Sequence, residues 1–309
     1  MKKLSSRFQA YVFLLINVVT WGAALPIVKI GLSDTTPFRY LFYRFALAII
    51  LSLPVLFYFL PKIKNLRTIL PRILLLELIG TTLALSLLYI GLTKTTALEA
   101  SLITTTTPLF ITLGGIWFLQ EKEERQEWMG LFIAFIATLA MTFLPAFFSG
   151  QPMFGGTFTG NALIFTQNIA TAVYFLLAKR WYKKIPTLFV STISFYVGFV
   201  TFAVLSLFEV GGSLSVMWQS MGNDLTHPFV WLIAFYMALF GSIIGLTAYI
   251  KGQNRIEASE ASMFGYLQPL VYIPLSYLLL KESATVLQVV PLFFILIGVY
   301  ISQRKSQKR

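Results

Sequence analysis

The chain has no cysteine and a single histidine, His227, among 309 residues. Without thiols it forms no disulfide, no thiolate metal site and no cysteine nucleophile. One histidine, placed in a loop before an apolar run, provides no cluster to hold a metal or run acid–base chemistry. Charge is scarce as well. Asp, Glu, Lys and Arg make up 12% of residues, where soluble domains carry about 25%. Long polar stretches are also missing, so no hydrophilic domain remains. No cofactor and no metal are expected. The absence of convergent His, Asp, Glu or Cys chemistry disfavours a polytopic membrane enzyme, so the chain is read as a non-enzyme.

What the chain does have is apolar sequence, with 57% hydrophobic residues and a mean hydropathy of +0.77. Its solvent is therefore lipid. Runs of about 20 apolar residues each suffice to cross a hydrocarbon core of about 30 Å. Ten such runs lie near 10–32, 38–60, 73–93, 98–119, 128–146, 159–181, 187–209, 229–250, 257–280 and 285–303. They predict an all-α polytopic membrane protein of ten transmembrane helices. The first run follows Lys2, Lys3 and Arg7. It is too long for a secretory signal and lacks a small-residue cleavage site, so it reads as a retained helix.

The formal charge of +12 does not imply a nucleic-acid partner. When the N-terminus is placed inside and the loops alternate, 19 of the 24 lysines and arginines fall on one face. That asymmetry is the positive-inside pattern. It predicts a multi-pass protein of the cytoplasmic (inner) membrane, surrounded by membrane lipids, with both termini cytoplasmic. The basic tail 304–309 belongs to the same face.

The chain also repeats itself. The segment ALEASLITTTTP, Ala97 to Pro108, recurs as ASEASMFGYLQP, Ala258 to Pro269. Glu99, Ser101, Pro108 and Glu121 fall on Glu260, Ser262, Pro269 and Glu282 at one spacing of 161 residues. Such a period inside apolar sequence predicts two copies of one bundle. A weaker match relates TWGAALPIVK, ending at Lys29, to TAVYFLLAK, ending at Lys179. Five runs precede the uncharged loop 146–158, and an odd number makes the second copy enter the membrane from the opposite side. The expected units are 1–146 and 159–303, two inverted five-helix repeats around a central cavity, followed by the tail 304–309.

Several of these residues together resemble a known family. The Trp21–Gly22 pair, Arg44, the two repeated segments with their prolines, and Glu121 and Glu282 are similar to the EamA repeat of the drug/metabolite transporter superfamily. The resemblance covers nearly the whole chain. It implies two inverted five-helix repeats with a central cavity, and carriage of amino acids or other small metabolites across the inner membrane. The second half departs from the pattern by placing Ser194 near the position that corresponds to Arg44.

Helical spacing groups the candidate cavity residues. Asn17 and Trp21 share a stripe in the first helix, and Gln167, Thr171 and Tyr174 share one in the sixth. Gly265, Gln268 and Tyr272 share a face in the ninth, Ser86 and Tyr89 lie in the third, and Tyr249 lies in the eighth. These faces mix amides and hydroxyls with rings and suit an amphipathic solute. Packing and interfacial anchoring compete with that reading for each aromatic residue. Arg44, with Tyr43 beside it, is the charge expected inside the bilayer, where insertion costs about 2.5 to 3.5 kcal/mol. It reads either as a site for an anionic group or as a snorkelled structural residue. Pro108 and Pro269 are expected to kink their helices, either as hinges or as static bends that neighbours resatisfy. Glu77 reads as paired with Arg72 or facing the interface, and Glu99, Glu260, Glu121 and Glu282 read as structural helix-end acids. No carboxylate then reads as both central and unpaired, so proton coupling, exchange and facilitated movement stay open. No motif specifies the oligomeric state.

The leading expectation is a small-metabolite transporter working by alternating access, most specifically an exporter of amino acids or related metabolites. A carrier of a drug-like cation or a sugar or nucleotide conjugate is the alternative. Reporter fusions at the two ends of the chain are expected to give cytoplasmic signals, and an external signal at either end would overturn the inverted arrangement.

Overall fold

In lipid, backbone N–H and C=O groups find no water, so each segment must satisfy its own hydrogen bonds, which a helix does. The computed structural model describes residues 6–63, 66–121, 124–149, 158–183, 185–282 and 286–303, and among them no strand occurs. Counted along the chain, helix 1 spans Ser6–Gly31, helix 2 Pro37–Lys62, helix 3 Arg67–Thr93 and helix 4 Ala97–Leu119. Helix 6 spans Phe158–Trp181, helix 7 Thr187–Glu209, helix 8 Pro228–Gln253 and helix 9 Ala258–Leu280. These eight are long and apolar enough to cross a membrane. Helix 5, Arg125–Ser149, and helix 10, Val286–Gln303, complete the ten expected helices. Predicted edges differ from observed ones by no more than six residues. The tail 304–309, Lys2 and Lys3 lie outside the described residues.

One further helix, Leu214–Leu225, occupies a stretch read from sequence as a loop. Its Leu214, Trp218 and Leu225 are exposed while Asp224 is buried. Asp224 ties it to helix 2, accepting hydrogen bonds from Thr35 Oγ1 at 2.7 Å, Arg39 Nε at 2.9 Å and Tyr43 Oη at 2.7 Å.

Equivalent helices of the two halves pack on one another, helix 2 along helix 7 and helix 5 along helix 10. The second pair approaches backbone to backbone. A Cβ added to Gly130 would lie 2.3 Å from the carbonyl oxygen of Gly298, so only glycine permits this contact. Helix 1 packs on helices 8 and 9, while helix 6 packs on helices 3 and 4, which is the same arrangement with the halves exchanged.

The repeat also governs where helices break. Helix 3 contains a π-helical stretch at Leu78–Leu83, and helix 8 one at Met237–Leu246, which includes the positions 161 residues further on. Helix 4 is interrupted at Thr105 and Thr106, and helix 9 narrows to a 3₁₀ turn at Met263–Leu267. Pro108 and Pro269 each stand in the first turn of the stretch that follows the break, where the missing N–H costs no helical bond. Among the described residues, only helix 1 has a break without a counterpart, at Ala23.

Helices 4 and 9 are tied end to end. Helix 4 terminates through Gln120 at φ 55° and helix 9 through Lys281 at φ 58°, both left-handed and 161 residues apart. Each reversal brings the next residue, a glutamate, onto the N-terminus of the other helix. Glu121 accepts hydrogen bonds from Ala258 N at 2.8 Å and Ser259 N at 3.1 Å. Glu282 accepts from Ala97 N at 3.2 Å and Leu98 N at 2.8 Å. Each half thereby satisfies unpaired N–H groups of the other and sets a negative charge on its helix dipole.

Lys179 Nζ lies 2.7 Å from Glu121 and also donates to Ile256 O at 2.8 Å. Burial alone would raise the Glu121 carboxyl, but Lys179 and the two backbone N–H groups hold it below the usual carboxylate range. A group whose folded pKa is lowered stabilises the fold above its ordinary pKa and loses that contribution as pH falls through the folded value. Glu121→Gln is expected to lower stability at neutral pH by about 1.5 to 3 kcal/mol, the worth of hydrogen bonds to a charged group. It is also expected to remove part of the acid-side loss seen in the wild type. Thermal unfolding in detergent across pH measures both.

Candidate functional site

The breaks in helices 3, 4, 8 and 9 all border one cavity of about 210 Å³. Helices 1–4 and 6–9 line it, whereas helices 5 and 10 do not. Both repeats therefore build one chamber. The wall is mostly apolar, with amides and hydroxyls at separate points.

Ten sequence-nominated residues come together there: Asn17, Trp21, Arg44, Tyr89, Gln167, Thr171, Tyr174, Tyr249, Gly265 and Gln268. Pro108 also lines the chamber, while Pro269 is buried outside the lining. The rings form one surface. Trp21 stacks on Tyr249 with centroids 5.7 Å apart, and Phe175 lies 4.2 Å from Tyr249.

Several polar groups of the wall support the broken helices. Asn17 Nδ2 donates to Gly245 O at 3.1 Å and Trp21 Nε1 to Gly241 O at 3.0 Å, so helix 1 satisfies carbonyls in the π-helical stretch of helix 8. Gln167 Nε2 donates to Thr171 Oγ1 at 2.5 Å, leaving Gln167 Oε1 without a hydrogen-bond partner among the described residues. Tyr249 Oη is likewise unpartnered. Both atoms belong to cavity-lining residues but are themselves buried behind the chamber surface.

Arg44 is the buried cation of the chamber, with 7% of its surface exposed. Its Nε donates to Ser242 Oγ at 3.0 Å and an Nη to Tyr89 Oη at 2.9 Å. Among the described residues no carboxylate pairs with it. Its guanidinium also lies 5.3 Å from the centre of the Phe45 ring, and a guanidinium held by hydroxyls and a ring at membrane depth has no counter-charge from the protein.

Three nominated residues do not line the cavity. Tyr43 points its hydroxyl at Asp224 and packs its ring 4.6 Å from Trp231, because positions 39 and 43 share the helix face that meets Leu214–Leu225 while Arg44 turns inward. Ser86 bonds its own Thr82 O at 2.6 Å, lying two residues beyond Ala84 and so off the lining stripe that runs through Thr81, Ala84, Leu88 and Tyr89. Tyr272 joins Leu98, Leu102 and Leu131 in a separate apolar cluster, since the 3₁₀ turn and Pro269 redirect helix 9 beyond Gln268.

Glu77 requires a larger correction. It neither pairs with Arg72 nor faces the interface. It is fully buried and accepts hydrogen bonds from Thr81 Oγ1 at 2.7 Å, Tyr174 Oη at 3.0 Å and Tyr182 Oη at 3.0 Å. The signal was its setting in LLLELIG, a carboxylate eleven residues into a 27-residue apolar helix. Thr81, Ser194 and Ser242 also line the chamber without having been nominated. Lys29, by contrast, is structural, donating to Leu92 O at 2.5 Å and Thr95 O at 2.6 Å at the end of its helix.

The EamA-like transporter family matches residues 8–143 and 158–303, once for each half. An uncharacterized transporter of Bacillus subtilis, YyaM, is 27% identical over 94% of this chain and 92% of its own length. Another from the same organism, YetK, is 25% identical over 73% of this chain; the match spans 65% of its length, just under two thirds. A crystal structure titled "Crystal structure of protein" superposes with a TM-score of 0.69, covering 96% of this chain and 97% of the other at 14% identity, a likeness of fold alone.

Because the Trp21 indole holds a carbonyl of helix 8, Trp21→Phe is expected to cost about 1 kcal/mol and to speed hydrogen exchange in Met237–Leu246 selectively. Unchanged exchange there would remove this supporting role.

Proposed function

This chain belongs to the EamA-like transporter family, and we propose that it carries a small metabolite bearing a carboxylate, an amino acid or a close relative, outward across the inner membrane by alternating access. The observation that supports the solute class is Arg44. A buried guanidinium with hydroxyl partners and no counter-ion offers a carboxylate two parallel hydrogen bonds and full charge compensation. Gln167 Oε1 and Tyr249 Oη, buried without partners beside the chamber, add acceptors for an ammonium group once their side chains turn toward it. Trp21, Phe175 and Tyr249 provide an apolar surface for a side chain.

The alternatives fit less well. A drug-like cation would meet the charge of Arg44 at close range. A sugar or nucleotide conjugate needs more room than about 210 Å³, since drug-sized sites run from about 300 to 1,000 Å³. Two inverted copies around one chamber supply the mechanics, because exchanging their conformations opens the chamber first to one side and then to the other. The breaks beside Pro108 and Pro269 are the proposed hinges. Both termini on the cytoplasmic side follow from the positive-inside distribution.

Purified protein in liposomes loaded with an amino-acid mixture is expected to exchange labelled amino acid above empty vesicles. Arg44→Gln is expected to lose at least tenfold of that exchange, about 1.4 kcal/mol or more of solute interaction, while Arg44→Lys keeps part of it. No exchange by the wild type across amino acids would remove the proposed solute class, and unchanged exchange in Arg44→Gln would remove the proposed site.

A further inference from the structure

Glu77 is the one fully buried carboxylate among the described residues, and the solute site makes no use of it. It sits about 15 Å along helix 3, at 1.5 Å per residue. Immediately beyond it begins the π-helical stretch Leu78–Leu83. Helices 6 and 7 pack against this part of helix 3. Helix 6 faces the carboxylate with Tyr174, the residue after its end with Tyr182, and helix 7 with Ser194. None of these carries charge. The nearest candidates for a counter-ion are engaged elsewhere, Lys179 with Glu121 and Arg72 on the exposed face of helix 3. A carboxylate with neutral partners at membrane depth is costly when ionised, and neutralising it requires only a proton.

The partners of Glu77 connect it to the chamber. Thr81, Tyr174 and Ser194 line the cavity, so the carboxylate lies one side chain behind the wall. When Glu77 is ionised, Thr81 and Tyr174 turn their O–H groups toward it and present only lone pairs to a solute. When Glu77 is protonated, its own O–H must donate to one of these oxygens, and the proton of that hydroxyl is released to face the chamber. A single proton therefore changes whether this part of the wall accepts or donates hydrogen bonds. Tyr182, just beyond helix 6, closes the opposite side of Glu77. Burial, followed by the charge of Glu77, pushes its hydroxyl far above the ordinary value, so it remains a donor.

We infer that Glu77 is a proton-binding site coupled to the solute chamber, so that the carrier exchanges a proton with its solute. The inference rests on the transport reading above. The step is a simple protonation: the carboxylate takes a proton through Thr81 and Tyr174 when the chamber opens to one side, and returns it by the same route when the chamber opens to the other. No electrons move and no other reactant is required.

Two measurements test it. In the first, infrared spectra of the wild-type protein in detergent are recorded from mildly acidic to mildly alkaline pH. A protonated-carboxyl stretch that titrates in the wild type and is absent in Glu77→Gln is expected, and a wild-type spectrum without such a band would overturn the site whether or not transport has been found. In the second, proteoliposomes carry a trapped pH dye. An imposed pH gradient is expected to drive amino-acid accumulation by the wild type, with a matching internal pH change. Glu77→Gln is expected to lose both while keeping exchange of labelled solute at equal pH within twofold, and Glu77→Asp is expected to restore part of the gradient-driven movement. Wild-type solute exchange with no pH change, or gradient-driven accumulation retained in Glu77→Gln, would overturn the coupling and leave the transport reading in place.

Discussion

The fold depends on how two helices that begin at opposite ends of the bundle satisfy their first N–H groups. Helix 4 and helix 9 run antiparallel through the centre, and each is completed by a glutamate of the other half, Glu121 on Ala258 and Ser259, Glu282 on Ala97 and Leu98. An uncapped helix end near lipid would leave donors without partners. The glutamates reach their targets because Gln120 and Lys281 adopt left-handed conformations, at a backbone cost of about 1 to 2 kcal/mol each. Neighbouring contacts follow the same plan. Tyr11 of helix 1 bonds Glu260 of helix 9, and Asn161 of helix 6 bonds Glu99 of helix 4.

Within that frame the two halves differ in charge where it affects the chamber. Arg44 on helix 2 corresponds to Ser194 on helix 7. Its partner Ser242 on helix 8 corresponds to Thr81 on helix 3, which bonds Glu77. At the position equivalent to Glu77, helix 8 carries Ala238. One niche therefore holds a guanidinium among hydroxyls and its counterpart holds a carboxylate among hydroxyls. Duplication supplied the geometry, and divergence placed opposite charges in equivalent pockets on either side of one cavity. Separation of the charges leaves each without an internal counter-ion, the condition under which a zwitterion or a proton interacts most strongly.

The irregular stretches serve the same end. A π-helical turn widens a helix and releases carbonyls, and in helix 8 two of these are taken by Asn17 and Trp21. Helices 3, 4, 8 and 9 all deviate from regular geometry where they border the chamber. Helices 5 and 10, which hold Gly130 against Gly298, pack tightly and stay outside it.

What could be read from the chain alone was whatever depends on local composition and on comparison of the chain with itself. Ten apolar runs set the number of helices because a bilayer core has one thickness and each run must span it. The 161-residue spacing paired Pro108 with Pro269 and Glu121 with Glu282 before any contact was known. Ten of the thirteen nominated cavity residues line the chamber, since a stripe on a regular helix keeps its direction. The remainder depended on how the helices meet. Tyr43 was claimed by Asp224 of a helix that no periodicity announced, and Tyr272 was turned away by a 3₁₀ break. Glu77 looked interfacial when counted from the end of its run, because hydropathy reports depth along a helix and carries no information on direction around it. Only the packing of helices 6 and 7 against helix 3 enclosed that carboxylate with Tyr174 and Tyr182.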